Sequence, residues 1–134
     1  MRNIIALAAI AATAACTAAP VDMSADDESR LAAELSGYEQ SGPAESCVSL
    51  RDIRGNHSVG EGAIVFEGQG DRIWVNRPPS GCPAITPMRA LQTETTTNQL
   101  CSGDIATVFD PTSGIQYGSC GIGKFTPYRR GARD

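Results

Sequence analysis

Aromatic side chains and histidine are scarce in this chain of 134 residues: aromatics make up 5% of it and there is one histidine. Long hydrophobic runs are also lacking, since the only apolar stretch of any length lies within the first fifteen residues. These absences exclude a multi-pass membrane protein, and the composition is neither collagen-like nor that of a long coiled coil. The length predicts one small domain, and few side chains remain from which to build an active site.

The N-terminus has the pattern of an export signal. Arg2 supplies a positive charge, and Ile4 to Ala15 follow without a charged residue. As a helix this apolar stretch would cover only about 18 Å, which is too short for the roughly 30 Å hydrocarbon core of a membrane. We therefore expect residues 1–15 to be a cleaved signal peptide and the mature protein to be exported.

Cys16 ends a run of small residues that resembles the bacterial lipobox, in which the cysteine becomes the lipid-bearing first residue. The run departs from that motif at Thr13, where leucine is usual. We expect Cys16 to be lipidated; ordinary cleavage between Ala14 and Ala19 is the alternative. The five cysteines leave four to pair in either case, so their parity does not decide between the two.

Residues 16–45 form a strongly acidic, cysteine-free segment. Between Pro20 and Ser46 there are seven acidic residues against one arginine, whereas the remainder of the chain is nearly balanced. Ser24 followed by three acidic residues predicts a helix N-terminus, and leucines at helical spacing follow it. We expect an acidic tether with one short helix; an extended, solvated segment is the alternative. The domain is then expected over residues 46–130, with a tail at 131–134.

Short β-type segments separated by glycine follow from residue 46 onward. Turn-forming residues at 68–71 and 110–114 each predict a hairpin, and the resulting class is mainly β, a small antiparallel sandwich or partly closed barrel. The predicted strands are Val48–Ile53, Ala63–Glu67, Arg72–Asn76, Ala84–Leu91, Ile105–Phe109 and Ile115–Cys120.

The four cysteines of this region are far apart, with no Cys-x-x-Cys pair and no adjacent histidine. This spacing is atypical of a zinc site or a redox dithiol, and it favours two structural disulfides. Three connectivities are possible. We prefer Cys47 with Cys120 and Cys82 with Cys101, because Cys47 opens the first predicted strand, Cys120 closes the last, and first and last strands often meet.

Two motifs have a functional interpretation that the surrounding residues weaken. Residues 118–124 match the Gly-x-x-x-x-Gly-Lys part of a P-loop, but Phe125 stands where Ser or Thr should bind magnesium, so we expect a glycine-rich turn. His57 is the only imidazole and lies in a turn-like stretch without a recognisable nucleophile. We expect it to be solvated or packed rather than catalytic, and its Asn-x-Ser context to be an accidental glycosylation sequon.

Two further features are interpreted structurally. Trp74 lies in a predicted strand, where core packing is favoured over ligand stacking. Arg129, Arg130 and Arg133 make the C-terminus basic, but three charges in a net-acidic protein are weak support for nucleic-acid binding, so we expect a solvated tail.

From Cys47 to Tyr128 the chain resembles a family of small exported bacterial four-cysteine domains of unknown function, many of which are lipoproteins. The resemblance covers about two thirds of the chain and implies export and a common β fold, with no catalytic residue to transfer. The segments that carry the resemblance are residues 47–50, the predicted hairpin at 64–76, and residues 81–83, 100–104, 119–122 and 125–127.

The function expected from these observations is a non-enzymatic one in the cell envelope. We expect a lipid-anchored domain on the periplasmic face of a membrane, or a periplasmic or secreted one if Cys16 is not lipidated. It would bind or stabilise an unidentified envelope protein or ligand, without nucleic acid, cofactor or metal. One alternative is a secreted inhibitor or partner-binding module that acts through the polar loops at 78–83 or 92–99. Another is a small periplasmic enzyme that uses His57.

Overall fold

Strands dominate the computed structural model, which describes residues 23–132. None of its helical structure is long and apolar enough to cross a membrane, as judged over those residues. The elements are α1 (Ala25–Glu34), β1 (Tyr38–Gln40), β2 (Cys47–Ser49), β3 (Ile53–Val59), β4 (Ala63–Gly68), β5 (Arg72–Asn76), β6 (Ala90–Thr93), β7 (Gln99–Cys101), β8 (Ile105–Phe109), β9 (Gln116–Gly121) and β10 (Phe125–Arg130).

The strands form three antiparallel sheets. The largest has the order β1-β10-β5-β4-β3, a second pairs β2 with β7, and the third has the order β6-β8-β9. The sheets do not close into a continuous barrel. The expected mainly β, antiparallel class is therefore confirmed.

The five-stranded sheet has a buried cluster on each face. Ile64 and Phe66 of β4 face the smaller sheets. On that face they form one buried cluster that also contains Trp74 of β5 and Phe125 of β10. The alternate residues of β4 face the other way and pack with Leu31 of α1. A strand that is buried on both faces reads as a continuous apolar run, which explains the sequence of β4.

The predicted helix is confirmed, but the acidic segment is not a free tether. The Ser24 hydroxyl accepts a hydrogen bond from the backbone N–H of Asp27 at 3.1 Å, as expected of an N-cap. Leu31 is only 1% exposed because α1 lies against the five-stranded sheet. In addition, β1 pairs with β10. Within the described residues, α1 and β1 therefore pack with the sheet whose other strands follow residue 46.

Both predicted hairpins are confirmed, as β4–β5 and β8–β9. Two of the other predicted strands are wrong in extent. The first predicted strand contains a turn at 50–52 that separates β2 from β3. In the predicted strand at 84–91 only the end is extended, because residues 84–89 form turns around Pro87, and β6 begins at Ala90.

Two segments that the sequence assigned to a turn and to a solvated tail are strands in the structure. His57 lies inside β3 rather than in a turn. Arg129 and Arg130 lie in β10, which pairs with β1 on one side and β5 on the other, so neither belongs to a solvated tail. Arg133 lies outside the described residues.

Two disulfides are present, as predicted, but the preferred pairing is wrong. Cys47 is bonded to Cys101 and Cys82 to Cys120. The β2–β7 register places Cys47 directly opposite Cys101, with their Cα atoms 4.0 Å apart. First and last strands do meet in this fold, but they are β1 and β10, and neither carries a cysteine.

Candidate functional site

The helix-facing side of the five-stranded sheet extends beyond the end of α1 and forms an open groove there. The groove has a volume of about 430 Å³. We call it the His57 groove. Its lining consists mainly of charged side chains and short residues near the β4–β5 turn: Glu34, Tyr38, Arg54, His57, Val65, Glu67, Gly68, Gly70, Arg72, Ile73 and Arg130.

Three secondary-structure elements position the two carboxylates of the groove, Glu34 and Glu67, beside His57. Burial of Leu31 fixes α1 on the sheet, so that Glu34 at the end of the helix reaches β3. His57 stands opposite Val65 in the β3–β4 register, on the side of the sheet that α1 covers. Glu67 follows two residues after Val65 on β4 and therefore points to the same side.

His57 lies between the two carboxylates. Its Nε2 is 2.7 Å from Oε2 of Glu34, and its Nδ1 is 3.2 Å from Oε1 of Glu67. Both ring nitrogens therefore face carboxylate oxygens, and the tautomer of the ring decides which nitrogen donates.

The opposite wall of the groove is cationic and aromatic. Arg130 donates a hydrogen bond of 2.9 Å to the Tyr38 hydroxyl, and its guanidinium carbon is 4.9 Å from the centre of the Tyr38 ring. The β1–β10 register explains this contact, since the two residues are directly opposite. The hydrogen bond to Tyr38 raises the pKa of Arg130 further above its already high value. Arg130 is therefore a permanent positive charge at the rim.

The chemistry available in the groove is binding by charge and hydrogen bonds. It offers the carboxylates of Glu34 and Glu67 together with the guanidinium groups of three arginines, Arg54, Arg72 and Arg130. None of the side chains that line it within residues 23–132 is Ser, Thr, Cys or Lys.

The two carboxylates do not form a metal site with His57. They approach opposite nitrogens of the ring, so their oxygens do not converge on one point. No group of three His, Cys, Asp or Glu side chains arranged to hold a metal ion occurs within the part of the chain that the structure describes.

The P-loop-like residues do not form a phosphate-binding loop. Gly118 and Gly121 belong to β9, and the residues after them lead into β10 instead of a helix. A helix N-terminus at this place is what the phosphate-binding geometry would need. The expected glycine-rich turn is reduced to residues 122–124, which connect β9 to β10.

Trp74 is a core residue, as expected, with 1% of its surface exposed. Its indole N–H donates to Oε2 of Glu45 at 3.1 Å, so its polar atom is satisfied inside the protein. The Arg72 guanidinium lies 5.3 Å from the ring centre, at the edge of the His57 groove. Trp74 is therefore not available as a stacking platform for a ligand.

Sequence reasoning missed the partners of His57 because they come from distant parts of the chain. Glu34 is 23 residues away and lies in the segment that the sequence assigns to a tether. The alternation of β4 was the one available signal, because it places Glu67 on the same face as Val65. Cys16, the expected lipidation site, lies outside the described residues.

Comparison with known proteins finds no protein-family model, curated protein or solved structure that matches this chain.

Proposed function

We propose that this protein is an exported envelope protein, anchored by lipid at Cys16, that binds an envelope component without catalysing a reaction. The observation that carries the proposal is the pair of disulfides: Cys47 is bonded to Cys101 within the β2–β7 sheet, and Cys82, in the segment after β5, is bonded to Cys120 of β9. Disulfides form and persist in oxidising compartments, so they indicate export. In this proposal the apolar segment at 4–15 is the export signal, and Cys16 after it is the residue that carries the lipid.

The non-enzymatic part of the proposal is supported by the state of His57. Both of its nitrogens face carboxylates, and both carboxylates are about half exposed, as is the ring itself. A general base needs a free nitrogen near a proton that it can remove. The ring of His57 instead lies between Glu34 of α1 and Glu67 of β4, and the groove around it is suited to reversible binding of a charged ligand.

Analysis of the mature N-terminus tests the anchor. Mass spectrometry of the protein purified from a bacterial membrane fraction is expected to show a mature chain that starts at acylated Cys16. A Cys16→Ser variant serves as the matched control and is expected to move from the detergent phase to the aqueous phase on detergent partitioning. An unmodified N-terminus beyond Cys16 would contradict the anchor and favour a freely secreted protein.

The binding role is tested by affinity capture from an envelope extract with the wild-type domain and a Glu67→Gln, Arg130→Ala double variant in parallel. The side chains of Glu67 and Arg130 are 55% and 39% exposed, and we expect the variant to fold. A component captured by the wild type and lost by the variant would support binding at the His57 groove. A component retained by both would place binding elsewhere and favour the polar loops.

A further inference from the structure

The docking of α1 shortens the connection between the domain and its proposed anchor. If residues 16–45 were a tether, it could reach about 100 Å when extended, but Met23, the first residue that the structure describes, already packs with the cluster beneath α1. Six residues separate Cys16 from Met23. They span at most about 25 Å, which is less than the diameter of about 35 Å expected for a domain of this size. A chain anchored at Cys16 therefore keeps one side of the domain close to the bilayer.

Met23 shows which side that is, because its position is fixed. It packs with the cluster beneath α1, and its side chain lies directly over Gly62, where a Cβ atom would be 2.2 Å from Met23 Cγ. Arg77 adds a contact of 3.1 Å between its Nη1 and the Met23 sulfur. The chain thus leaves the domain at the β3–β4 turn.

The segment at 82–89 lies next to this exit point. A groove of about 410 Å³ is lined by Met23 on one side and by Thr86 and Pro87 on the other. The segment is held firmly, since Cys82 is bonded to Cys120 and its N–H donates to the Glu61 carbonyl at 2.7 Å.

Apolar side chains are exposed on this segment and at the start of β9, which the segment contacts through Arg89 and Tyr117. Met88 is 83% exposed, Ile115 54% and Tyr117 40%. Arg89 connects them, because it follows Met88 in sequence and its guanidinium carbon lies 3.6 Å from the centre of the Tyr117 ring. Ile115 precedes Tyr117 by two residues at the turn of the β8–β9 hairpin. We call Met88, Arg89, Ile115 and Tyr117 the Met88 surface.

We infer that the Met88 surface rests on the lipid bilayer when the protein is anchored at Cys16. This inference depends on the proposed anchor. Met88 and Ile115 supply apolar contact at the boundary between headgroups and acyl chains, and Tyr117 and Arg89 have the amphipathic shape that suits the interface. The short connection supplies the proximity that such a small surface needs, since a few side chains alone bind membranes weakly.

Depth-dependent quenching in vesicles tests this placement. The acylated full-length mature protein is reconstituted in vesicles of phosphatidylethanolamine and phosphatidylglycerol that contain brominated lipids. A Met88→Trp variant is compared with Ile105→Trp, because Ile105 is 58% exposed and lies at the end of β8 away from the hairpin turn. The native Trp74 is buried and contributes the same background to both.

We expect the Met88→Trp variant to be quenched at least about twofold more strongly than Ile105→Trp. Equal quenching in the two variants, or none in either, on protein that is shown by mass to be acylated would overturn the inference and leave the anchor intact. Protection of Met88→Trp by a second protein copy would appear as a blue-shifted emission without vesicles and would also overturn it. A mass without acyl chains would instead show that the anchor itself is wrong, and the membrane placement with it.

Discussion

Asn76 holds Gly123 by two hydrogen bonds between the end of β5 and the approach to β10. Its side-chain amide donates to the Gly123 carbonyl at 2.8 Å, and its side-chain oxygen accepts from the Gly123 N–H at 2.9 Å. Asn76 is the one fully buried polar side chain among the described residues. A buried polar group that is satisfied in this way stabilises one arrangement of the backbone, because any other arrangement leaves its partners without hydrogen bonds.

Replacing Asn76 by Ala is expected to lower the free energy of unfolding by about 2 to 4 kcal/mol, because the variant leaves the N–H and carbonyl of Gly123 buried and unpaired. Urea denaturation followed by circular dichroism measures the change. Asn98→Ala is the matched control, since Asn98 is exposed, and it is expected to shift stability by no more than about 0.5 kcal/mol. Equal effects of the two substitutions would contradict the role assigned to Asn76.

Gly123 itself is expected to tolerate no side chain. A Cβ atom there would lie 2.4 Å from the Arg77 carbonyl oxygen, which is backbone and can move only with β5. Gly123→Ala should therefore destabilise the protein by about 1 to 3 kcal/mol. Gly121→Ala is the matched control, because a Cβ atom at Gly121 meets nothing within 4 Å. The melting temperatures of both variants are compared. A lower value for Gly123→Ala alone indicates crowding at Gly123, and equal losses indicate a general effect of replacing glycine.

Peptide mapping under non-reducing conditions is expected to recover Cys47 with Cys101 and Cys82 with Cys120. Their sequence separations of 54 and 38 residues correspond in the chain-entropy model to about 4 kcal/mol each. The double variant Cys47→Ser, Cys101→Ser should lower the melting temperature while keeping the second bond. A peptide that joins Cys47 to Cys120 would contradict the β2–β7 register.

His57→Ala is expected to change stability by no more than about 1 kcal/mol, because exposed ion pairs contribute little. The side chains of His57 and Glu34 are 42% and 40% exposed, so water replaces the lost contact. A double-mutant cycle with Glu34→Gln measures the coupling between them. A coupling energy well above 1 kcal/mol would make this pair a main support of α1. Loss of an enzymatic activity at an unchanged melting temperature would instead contradict the non-enzymatic proposal.

Acid is expected to destabilise the protein through Glu28 and Asp110. A hydrogen bond and the charge of Arg77 hold the pKa of Glu28 below its ordinary 4.5, and the backbone N–H groups of Thr112 and Ser113 hold the pKa of Asp110 below 3.8. Because both values are lowered in the folded state, the stabilisation is present above the ordinary pKa values and is lost as the pH falls through the folded ones.

Glu28→Gln should therefore flatten the fall in melting temperature as the pH drops below the ordinary glutamate pKa of 4.5. Glu94→Gln is the control, since Glu94 is exposed and makes no ion pair within the described residues. If the two variants follow the wild-type curve equally, the Glu28–Arg77 ion pair does not contribute to acid stability.

The sequence alone determined the features that depend on neighbouring residues. Ser24 and the acids after it predicted the start of α1, and turn residues at 68–71 and 110–114 predicted both hairpins. The count and wide spacing of the cysteines predicted two disulfides. Each of these signals acts within a few residues, or is simply a count, and so needs no knowledge of the distant chain.

Only the tertiary structure decided which distant segments meet. The pairing of Cys47 with Cys101 follows from the β2–β7 register, and the joining of Glu34, His57 and Glu67 follows from the docking of α1 by Leu31. The acidic composition of residues 16–45 favoured a solvated tether, whereas in the described part of that segment Leu31 is buried and β1 pairs with β10. Burial of apolar surface and strand pairing are interactions between distant segments. Which segments pack or pair therefore cannot be deduced from any one segment of the sequence.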